Sequence, residues 1–135
     1  MAFRLVGKDF LPPDVVPKVN GQAKYAEDFR AEGMLFAKLL TSPMPHGRVR
    51  RLDTGAAEAM PGVEAILTAD DLPPVETPNE MALTFEPRYE GEPILALAAV
   101  DETTAADAIE RIDLDLEPLP FAIDPLDSLR PGGPN

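Results

Sequence analysis

The fold is decided by "YEGEPILALAAVDE", residues 89–102, in which seven apolar residues (94–100) follow a Gly-Glu-Pro turn. Periodicity alone does not separate a buried strand from a buried helix in so short a run. The flanking residues do, because Pro93 is tolerated at the first position of a strand and a helical pattern begins directly behind the run. We therefore predict a strand over 94–100 that is covered on both faces.

The helical pattern lies in "DETTAADAIERI", residues 101–112. Its apolar residues recur at the i, i+3, i+4, i+7 spacing of one helix face: Ala105, Ala108, Ile109 and Ile112. Thr104 and Asp107 stand at the spacing of a capping box. The pattern predicts a helix that begins near residue 104.

The remaining elements follow from alternation, capping residues and helix-breaking residues. Strands are predicted at 34–42, 48–53, 63–68 and 113–120, the last ended by Pro118. A short helix over 54–62, capped by Asp53 or Thr54, ends at Pro61-Gly62, and Thr68 with Asp71 predicts one further helical turn. "IDPLDSL" (123–129) predicts a last helical turn. The fold class is α+β, a small mixed sheet with two main helices.

Two proline-rich stretches lack a regular pattern, namely an N-terminal arm (1–20) and a long loop (73–88). Both carry apolar anchors: Phe3, Leu5, Phe10 and Val15 in the arm, and Met81, Leu83 and Phe85 in the loop. Loops of this length are often functional, so both are predicted to contact a partner. The predicted organisation is an extended arm at 1–17, one domain at 18–130 and a tail at 131–135, with a turn at Asn20-Gly21.

Composition narrows the function classes. The net charge of −12 disfavours nucleic acid, whose binding depends on cationic side chains. The apolar runs are too short to span a membrane, and the start of the chain does not resemble a secretion leader. The chain has no cysteine, so it holds no disulfide, iron–sulfur cluster or thiolate zinc site. These features predict a cytoplasmic protein.

Candidate chemistry is sparse in the sequence. His46 is the single histidine and stands between Pro45 and Gly47, which favours a structural or solvent-facing role. The one basic cluster is in "GRVRRLD": Arg48, Arg50 and Arg51. It leaves open an anion site, a partner's acidic patch or a solvated strand face. The carboxylate pairs Asp70-Asp71 and Asp113/Asp115 are interpreted as a cap and a strand face. Glycine-rich phosphate loops are absent.

An ordered series of segments resembles a known family: "KVNGQAKYAEDF", "GMLFAKLLTSPMPHGRVRRLDTGAAEAMPGVEAILTADDLP", "YEGEPILALAAVDETTAADAIERIDLDLEPLP" and "DPLDSL". Together, from about Lys18 to Leu129, they resemble the N-terminal a/b hammerhead domain of the xanthine dehydrogenase and aldehyde oxidase family of molybdenum hydroxylases. The positions that fit the family pattern are Gly21, Tyr25, Asp28, Gly33, Ser42, Pro43, His46, Asp53, Met60-Pro61-Gly62-Val63, Thr68-Ala69-Asp70-Asp71-Leu72, Gly91-Glu92-Pro93, Asp101, Leu119-Pro120 and Asp124-Pro125.

The resemblance implies an oxidoreductase complex that inserts a water-derived oxygen into aldehydes or N-heterocycles. It implies a molybdenum–pterin cofactor, 2Fe–2S clusters and an FAD on partner chains: a larger molybdopterin-binding catalytic subunit, an iron–sulfur subunit and an FAD subunit. The family's catalytic region normally follows this domain, and the sequence stops at "RPGGPN". Either the domain is a separate subunit or the remainder lies outside this chain. No catalytic, cofactor-binding or metal-binding residue is assigned here.

The favoured interpretation is a non-catalytic subunit that docks on a molybdopterin-binding chain. The alternative is a free-standing interaction or small-ligand module that uses the same domain. A pocket with converging polar groups inside this chain would distinguish the second from the first.

Overall fold

A computed structural model of the chain describes residues 5–73 and 82–132. The chain divides into two compact units, residues 1–34 and 35–135. In the first, the described residues form one short helix, α1 (Val15–Val19), and a 3₁₀ turn at Ala26–Asp28. Residues 15–19 were predicted to be extended, so that part of the arm prediction is wrong. The proline in α1 lies within the first turn, where backbone N–H groups lack helical partners in any case.

The predicted turn at Asn20-Gly21 is confirmed. Gly21 has a φ of +73°, a region that glycine enters without steric cost. The Gln22 N–H donates to Asn20 Oδ1 at 3.2 Å. Of the apolar anchors predicted in the arm and the loop, Phe3 and Met81 lie outside the described residues.

Among its described residues, the second unit contains five strands and three helices. In chain order they are β1 (Phe36–Thr41), β2 (Gly47–Asp53), α2 (Gly55–Glu58), β3 (Val63–Leu67), β4 (Pro93–Ala99), α3 (Glu102–Ile109), β5 (Asp113–Pro118) and α4 (Pro125–Ser128). A 3₁₀ turn at Ala69–Asp71 follows β3. Each predicted strand is present within two residues of its expected bounds, and the α+β class is confirmed.

The strands divide between two antiparallel sheets, where the sequence predicted one small mixed sheet. The larger has the order β1-β4-β3, and the smaller pairs β2 with β5. Period-two patterns show which residues form strands but carry no information on which strands pair. The two sheets therefore could not be separated from the sequence.

The core lies between the larger sheet and the helices. Leu95, Leu97 and Ala99 project from one face of β4 and are fully buried, and Ile94 is buried on the other face. Alanines line the opposing helices, with Ala57 on α2 and both Ala105 and Ala108 on α3. Because alanine is small, it lets the helix backbone approach the sheet closely. The prediction that residues 94–100 form a buried central strand is confirmed, with bounds one residue earlier.

Helix α3 begins two residues before its predicted start. Its N-cap is Asp101, whose Oδ1 accepts a hydrogen bond from the Thr104 N–H at 2.7 Å. The predicted box of Thr104 and Asp107 is therefore wrong. Asp101 has an extended backbone and stands three residues before Thr104, the same spacing that separates Thr104 from Asp107. Its side chain therefore accepts from an amide at the start of the helix that has no helical partner. This hydrogen bond lowers the pKa of Asp101.

The other caps match the sequence more closely. Thr54 takes the N-cap position of α2, while the side-chain contact to the backbone comes from Asp53, whose Oδ1 accepts from the Gly55 N–H at 3.0 Å. At the predicted turn after β3, Thr68 and Asp71 form the expected capping box, with Thr68 N–H donating to Asp71 Oδ2 at 2.7 Å. The Thr68 N–H also lowers the pKa of Asp71.

Candidate functional site

Residues 82–92, here called the seam, join the two sheets. Gly47 and Val49 of β2 donate their N–H groups to the carbonyl oxygens of Pro87 and Phe85, at 3.0 and 2.8 Å. Because these are alternate residues on both segments, the seam lies along the free edge of β2 much as a further strand would. That edge is covered by this chain itself.

The other end of the seam is fastened to the larger sheet. The Thr84 N–H donates to the carbonyl oxygen of Pro93, at the start of β4, at 3.1 Å. Ser42, directly after β1, donates its N–H to Glu92 O at 2.9 Å and accepts from the Gly91 N–H at 2.8 Å. The seam thus holds the ends of β1, β2 and β4 together.

This geometry bears on the predicted partner loop, residues 73–88. Leu83 and Pro87, within the described part of that loop, are buried in this chain. Two of its positions are also hydrogen-bonded to β2, as given above. Leu83, Phe85 and Pro87 therefore belong to the fold of this chain, and a partner contact at the rest of the loop stays a prediction.

His46 occupies a structural position between the smaller sheet and the seam. Its Nδ1 lies 2.7 Å from the carbonyl oxygen of Pro120, and since a carbonyl only accepts, Nδ1 carries the hydrogen. The His46 carbonyl accepts from the Leu119 N–H at 3.1 Å. Its Nε2 is buried and lies 3.7 Å from Glu86 Oε1. These contacts support the structural interpretation of His46.

The basic cluster on β2 is neutralised within the chain. Each arginine is paired with a carboxylate: Arg48 with Glu86 at 2.9 Å, Arg50 with Glu117 at 2.9 Å and Arg51 with Asp113 at 2.6 Å. The Arg48 hydrogen bond lowers the pKa of Glu86, and the Arg50 hydrogen bond lowers that of Glu117. All three arginine side chains are exposed, so the cluster is the solvated strand face that the sequence left as one interpretation.

The carboxylate pairs are also used structurally. Asp71 caps a 3₁₀ turn, and Asp113 pairs with Arg51 across the smaller sheet. Within residues 5–73 and 82–132, no group of three or more potential ligand side chains could hold a metal ion. In the same part of the chain, no helix is both long and apolar enough to cross a bilayer.

The ion pair of Glu86 with Arg48 predicts that the stability of the fold depends on pH. A carboxylate whose folded pKa is depressed stabilises the fold above its unfolded pKa, and that contribution is lost as pH falls through the folded value. For Glu86 the ordinary value is 4.5 and the shift is downward. The wild type should therefore lose more stability than Glu86→Gln between about pH 6 and about pH 3.

Urea unfolding at each pH measures this difference, which should be modest because the pair is exposed. Amide hydrogen exchange at Gly47 and Val49 reports whether the seam loosens as Glu86 is protonated. If stability falls equally with pH in the wild type and in Glu86→Gln, Glu86 does not stabilise the fold through its ion pair.

Exposed apolar side chains form the other notable surface of the molecule. No side chain among residues 5–34 is buried, although this unit carries eight large apolar residues that are more than half exposed: Leu5, Val6, Phe10, Leu11, Val16, Val19, Tyr25 and Phe29. A segment without a core of its own buries little apolar surface and therefore gains little stability from folding. This arrangement is typical of a surface that packs against another protein.

A second apolar surface, at α4, was not predicted. Ile123, Leu126 and Leu129 are exposed there, and Phe121 is half exposed. The sequence signal was present, since the first three stand three residues apart around a one-turn helix. It was missed because residues 123–129 were considered only as a helical turn.

Comparison with known proteins gives one family. Residues 20–120 match the model of the aldehyde oxidase and xanthine dehydrogenase a/b hammerhead domain. The carbon monoxide dehydrogenase large chain of Hydrogenophaga pseudoflava is 33% identical over 125 residues, which cover 86% of this chain and 16% of that protein. The xanthine dehydrogenase molybdenum-binding subunit of Escherichia coli is 30% identical over 128 residues, covering 83% and 17%.

A solved structure agrees with these matches. Reconstituted CO dehydrogenase from Oligotropha carboxidovorans superposes with a TM-score of 0.84 at 31% identity, covering 95% of this chain and 17% of that one. The chain therefore spans about one sixth of the length of the relatives it matches.

Proposed function

Because the chain belongs to the aldehyde oxidase and xanthine dehydrogenase a/b hammerhead domain family, we propose that it is the non-catalytic hammerhead subunit of a molybdenum hydroxylase complex. Its relatives are domains of molybdenum hydroxylases, among them carbon monoxide dehydrogenase, xanthine dehydrogenase and aldehyde oxidoreductase. In this proposal it docks on a larger molybdopterin-binding catalytic chain. The complex oxidises aldehydes or N-heterocycles with an oxygen atom from water, in the cytoplasm.

The non-catalytic role is supported by the structural contacts of the candidate reactive side chains. His46 holds Pro120, and the three arginines of β2 are each paired with a carboxylate. An anionic pterin cofactor needs free donors, and these groups are already engaged. The engagement of these groups supports a non-catalytic role, and no catalytic step is assigned to them.

The cofactors are accordingly proposed on partner chains. A catalytic chain would hold the molybdenum–pterin cofactor, a second chain the 2Fe–2S clusters and a third the FAD. Residues 18–130 would form the docking domain, with the arm 1–17 and the tail 131–135 on either side. The exposed apolar side chains of the arm support a contact with a large partner. A stable interface of this kind buries on the order of 1,600 Å² or more.

Co-purification with metal analysis tests the proposal. The tagged chain is expressed in the cells that naturally contain it and purified at moderate salt, and the bound chains are identified by mass spectrometry. Molybdenum and iron are measured per mole of tagged chain. We expect both metals, together with a larger chain of the molybdenum hydroxylase family. A monomer that carries neither metal would refute the proposal.

One feature favours the alternative, a free-standing ligand-binding module. An open groove of about 350 Å³ lies beside β3 and is lined by Glu58, Val63, Glu64, Ala65 and Ile66, a volume at the low end of ligand sites. However, the carboxylate of Glu58 accepts a hydrogen bond from the Thr54 hydroxyl at 2.6 Å. Native mass spectrometry of the isolated chain distinguishes the two, since a retained small molecule would favour the module.

A further inference from the structure

His46 lies where three distant segments of the second unit meet. It directly precedes β2, its Nε2 faces Glu86 of the seam, and its other contacts go to Leu119 and Pro120, which directly follow β5. The Nδ1–H donates to Pro120 O at 2.7 Å, and the His46 carbonyl accepts from the Leu119 N–H at 3.1 Å. The contact with Glu86 is the one of these that is not a hydrogen bond.

The Nε2 of His46 is a buried polar atom without a hydrogen-bond partner among the described residues. Because Nδ1 carries the hydrogen, Nε2 of the neutral ring has only a lone pair, which accepts but does not donate. It lies 3.7 Å from Glu86 Oε1, which is too long for a hydrogen bond. Two acceptors therefore face each other, which costs stability, and a proton on Nε2 would remove that cost.

Glu86 is an anion with one oxygen directed at His46. Arg48 donates to Glu86 Oε2 from Nη2 and from Nε, at 2.9 and 3.2 Å, and Oε1 is the oxygen on the histidine side. The Arg48 hydrogen bond lowers the pKa of Glu86, which keeps the carboxylate ionised while a histidine gains its proton. A shift of roughly 1 Å by this part-exposed side chain would reach the length of a charge-assisted hydrogen bond.

The charged groups on the elements packed against His46 are balanced. Arg48 of β2 is paired with Glu86 of the seam. Glu117 of β5 stands opposite Arg48 in the register and is paired with Arg50. Two cations and two anions thus offset one another. Since the chain as a whole carries a net charge of −12, an added proton also reduces the self-repulsion of the fold.

We propose that His46 is a proton-operated clasp: when Nε2 takes up a proton, it donates to Glu86 Oε1 and fastens the seam to the end of β5. Histidine side chains change charge between about pH 5 and pH 8, so the clasp closes in that range. The unfolded chain does not make this bond. Its stabilisation is therefore present on the acid side of the histidine transition and is lost as pH rises through it.

The second limit of the clasp comes from Glu86. Once the carboxylate itself is protonated, at a pH below its ordinary value of 4.5, the ion pair with His46 is lost. The protection of the seam should therefore pass through a maximum between the two transitions. This device concerns the folded chain alone and does not depend on the proposed function.

The test uses the full chain between pH 8 and pH 3. His46 is the single histidine, so ¹⁵N NMR of the ring nitrogens reports its tautomer and protonation without ambiguity. Hydrogen exchange is measured at the Gly47 and Leu119 amides, which donate to Pro87 O and His46 O, relative to an unstructured chain at the same pH. The Val100 amide, which donates to Gly62 O in the larger sheet, is the internal control.

Two variants separate the parts of the clasp. Glu86→Gln removes the anion and leaves His46 in place. His46→Asn keeps an N–H donor on the side of Pro120 O and removes Nε2. Because the first variant retains the histidine, the comparison with the wild type stands even where His46→Asn does not fold.

We expect the wild-type ring to carry its hydrogen on Nδ1 at pH 8 and on both nitrogens in acid. Protection at Gly47 and Leu119 should rise about two- to fivefold from pH 8 to about pH 5.5, as for a part-exposed ion pair, and fall again in stronger acid. Both variants should show no such rise, and protection at Val100 should stay constant in all three proteins.

Three results would overturn the clasp. The first is a neutral ring with its hydrogen on Nε2, which would already donate to Glu86. The second is unchanged protection of Gly47 and Leu119 as the wild type takes up its proton. The third is the full rise in Glu86→Gln, which would show that another group responds to the proton.

Discussion

Leu97→Ala should lower the free energy of unfolding by about 2–5 kcal/mol. Leu97 lies in β4, fully buried against the alanines of α2 and α3. Those alanines are fixed to helix backbones and cannot extend into the space left by the lost side chain. The cavity would therefore persist, which places the expected cost in the upper part of this range. Since domains are stable by about 5–15 kcal/mol, the variant would lose a large share of its stability.

Leu39→Ala is the matched control for this variant. Leu39 has the same side chain, lies in the adjacent strand β1 of the same sheet and is 48% exposed. Its loss should cost less than about 1 kcal/mol. Urea unfolding of both variants measures the difference. Equal losses would show that the face of β4 that carries Leu97 does not form the centre of the core.

Gly62→Ala should destabilise the fold by about 2–4 kcal/mol, from backbone strain and a steric clash together. Gly62 ends the turn before β3 with a φ of +91°. A Cβ built there would lie 2.8 Å from Val100 Cγ2. Relief is difficult because the Val100 N–H donates to Gly62 O at 2.9 Å, and a β-branched side chain has little rotamer freedom.

Gly91→Ala separates the two contributions to that loss. Gly91 has the same φ of +91°, and a Cβ there would meet nothing within 4 Å. It should therefore show the strain without the clash. In a Val100→Ala background the clash is removed, so Gly62→Ala should cost about as much as Gly91→Ala. If the Gly62 effect is unchanged in that background, contact with Val100 is not its cause. Thermal and urea unfolding of the wild type, the three single variants and the Gly62→Ala/Val100→Ala double variant measure these differences.

The part of the fold that could be predicted is local. The run 94–100 and the helix behind it were identified because a proline, an apolar run and an i, i+3, i+4 pattern adjoin one another. The prediction erred at the cap of α3, where Asp101 and Thr104 are both good capping residues and the sequence does not show which has the extended backbone. It erred again at α1, where a proline was read as a mark of extended chain.

The part that could not be predicted depends on contacts between distant residues. Nothing in the sequence of the seam shows that Phe85 and Pro87 pair with β2, since both contacts go through backbone carbonyls. The role of His46 likewise depends on a carbonyl oxygen 74 residues away. For the candidate site, the arginines were recognised from their spacing, but their neutralisation by Glu86, Glu117 and Asp113 required the folded structure.

The strand order has a consequence for folding during synthesis. Among the described strands, β1 and β3 pair only with β4, and β2 pairs only with β5. The first three strands synthesised on the ribosome thus have no sheet partner until the last third of the chain has emerged. Sheet formation has to wait for long-range contacts, which slow folding. During that interval the unpaired edges of β1, β2 and β3 are open to other chains, so the nascent domain depends on its surroundings until β4 and then β5 are complete.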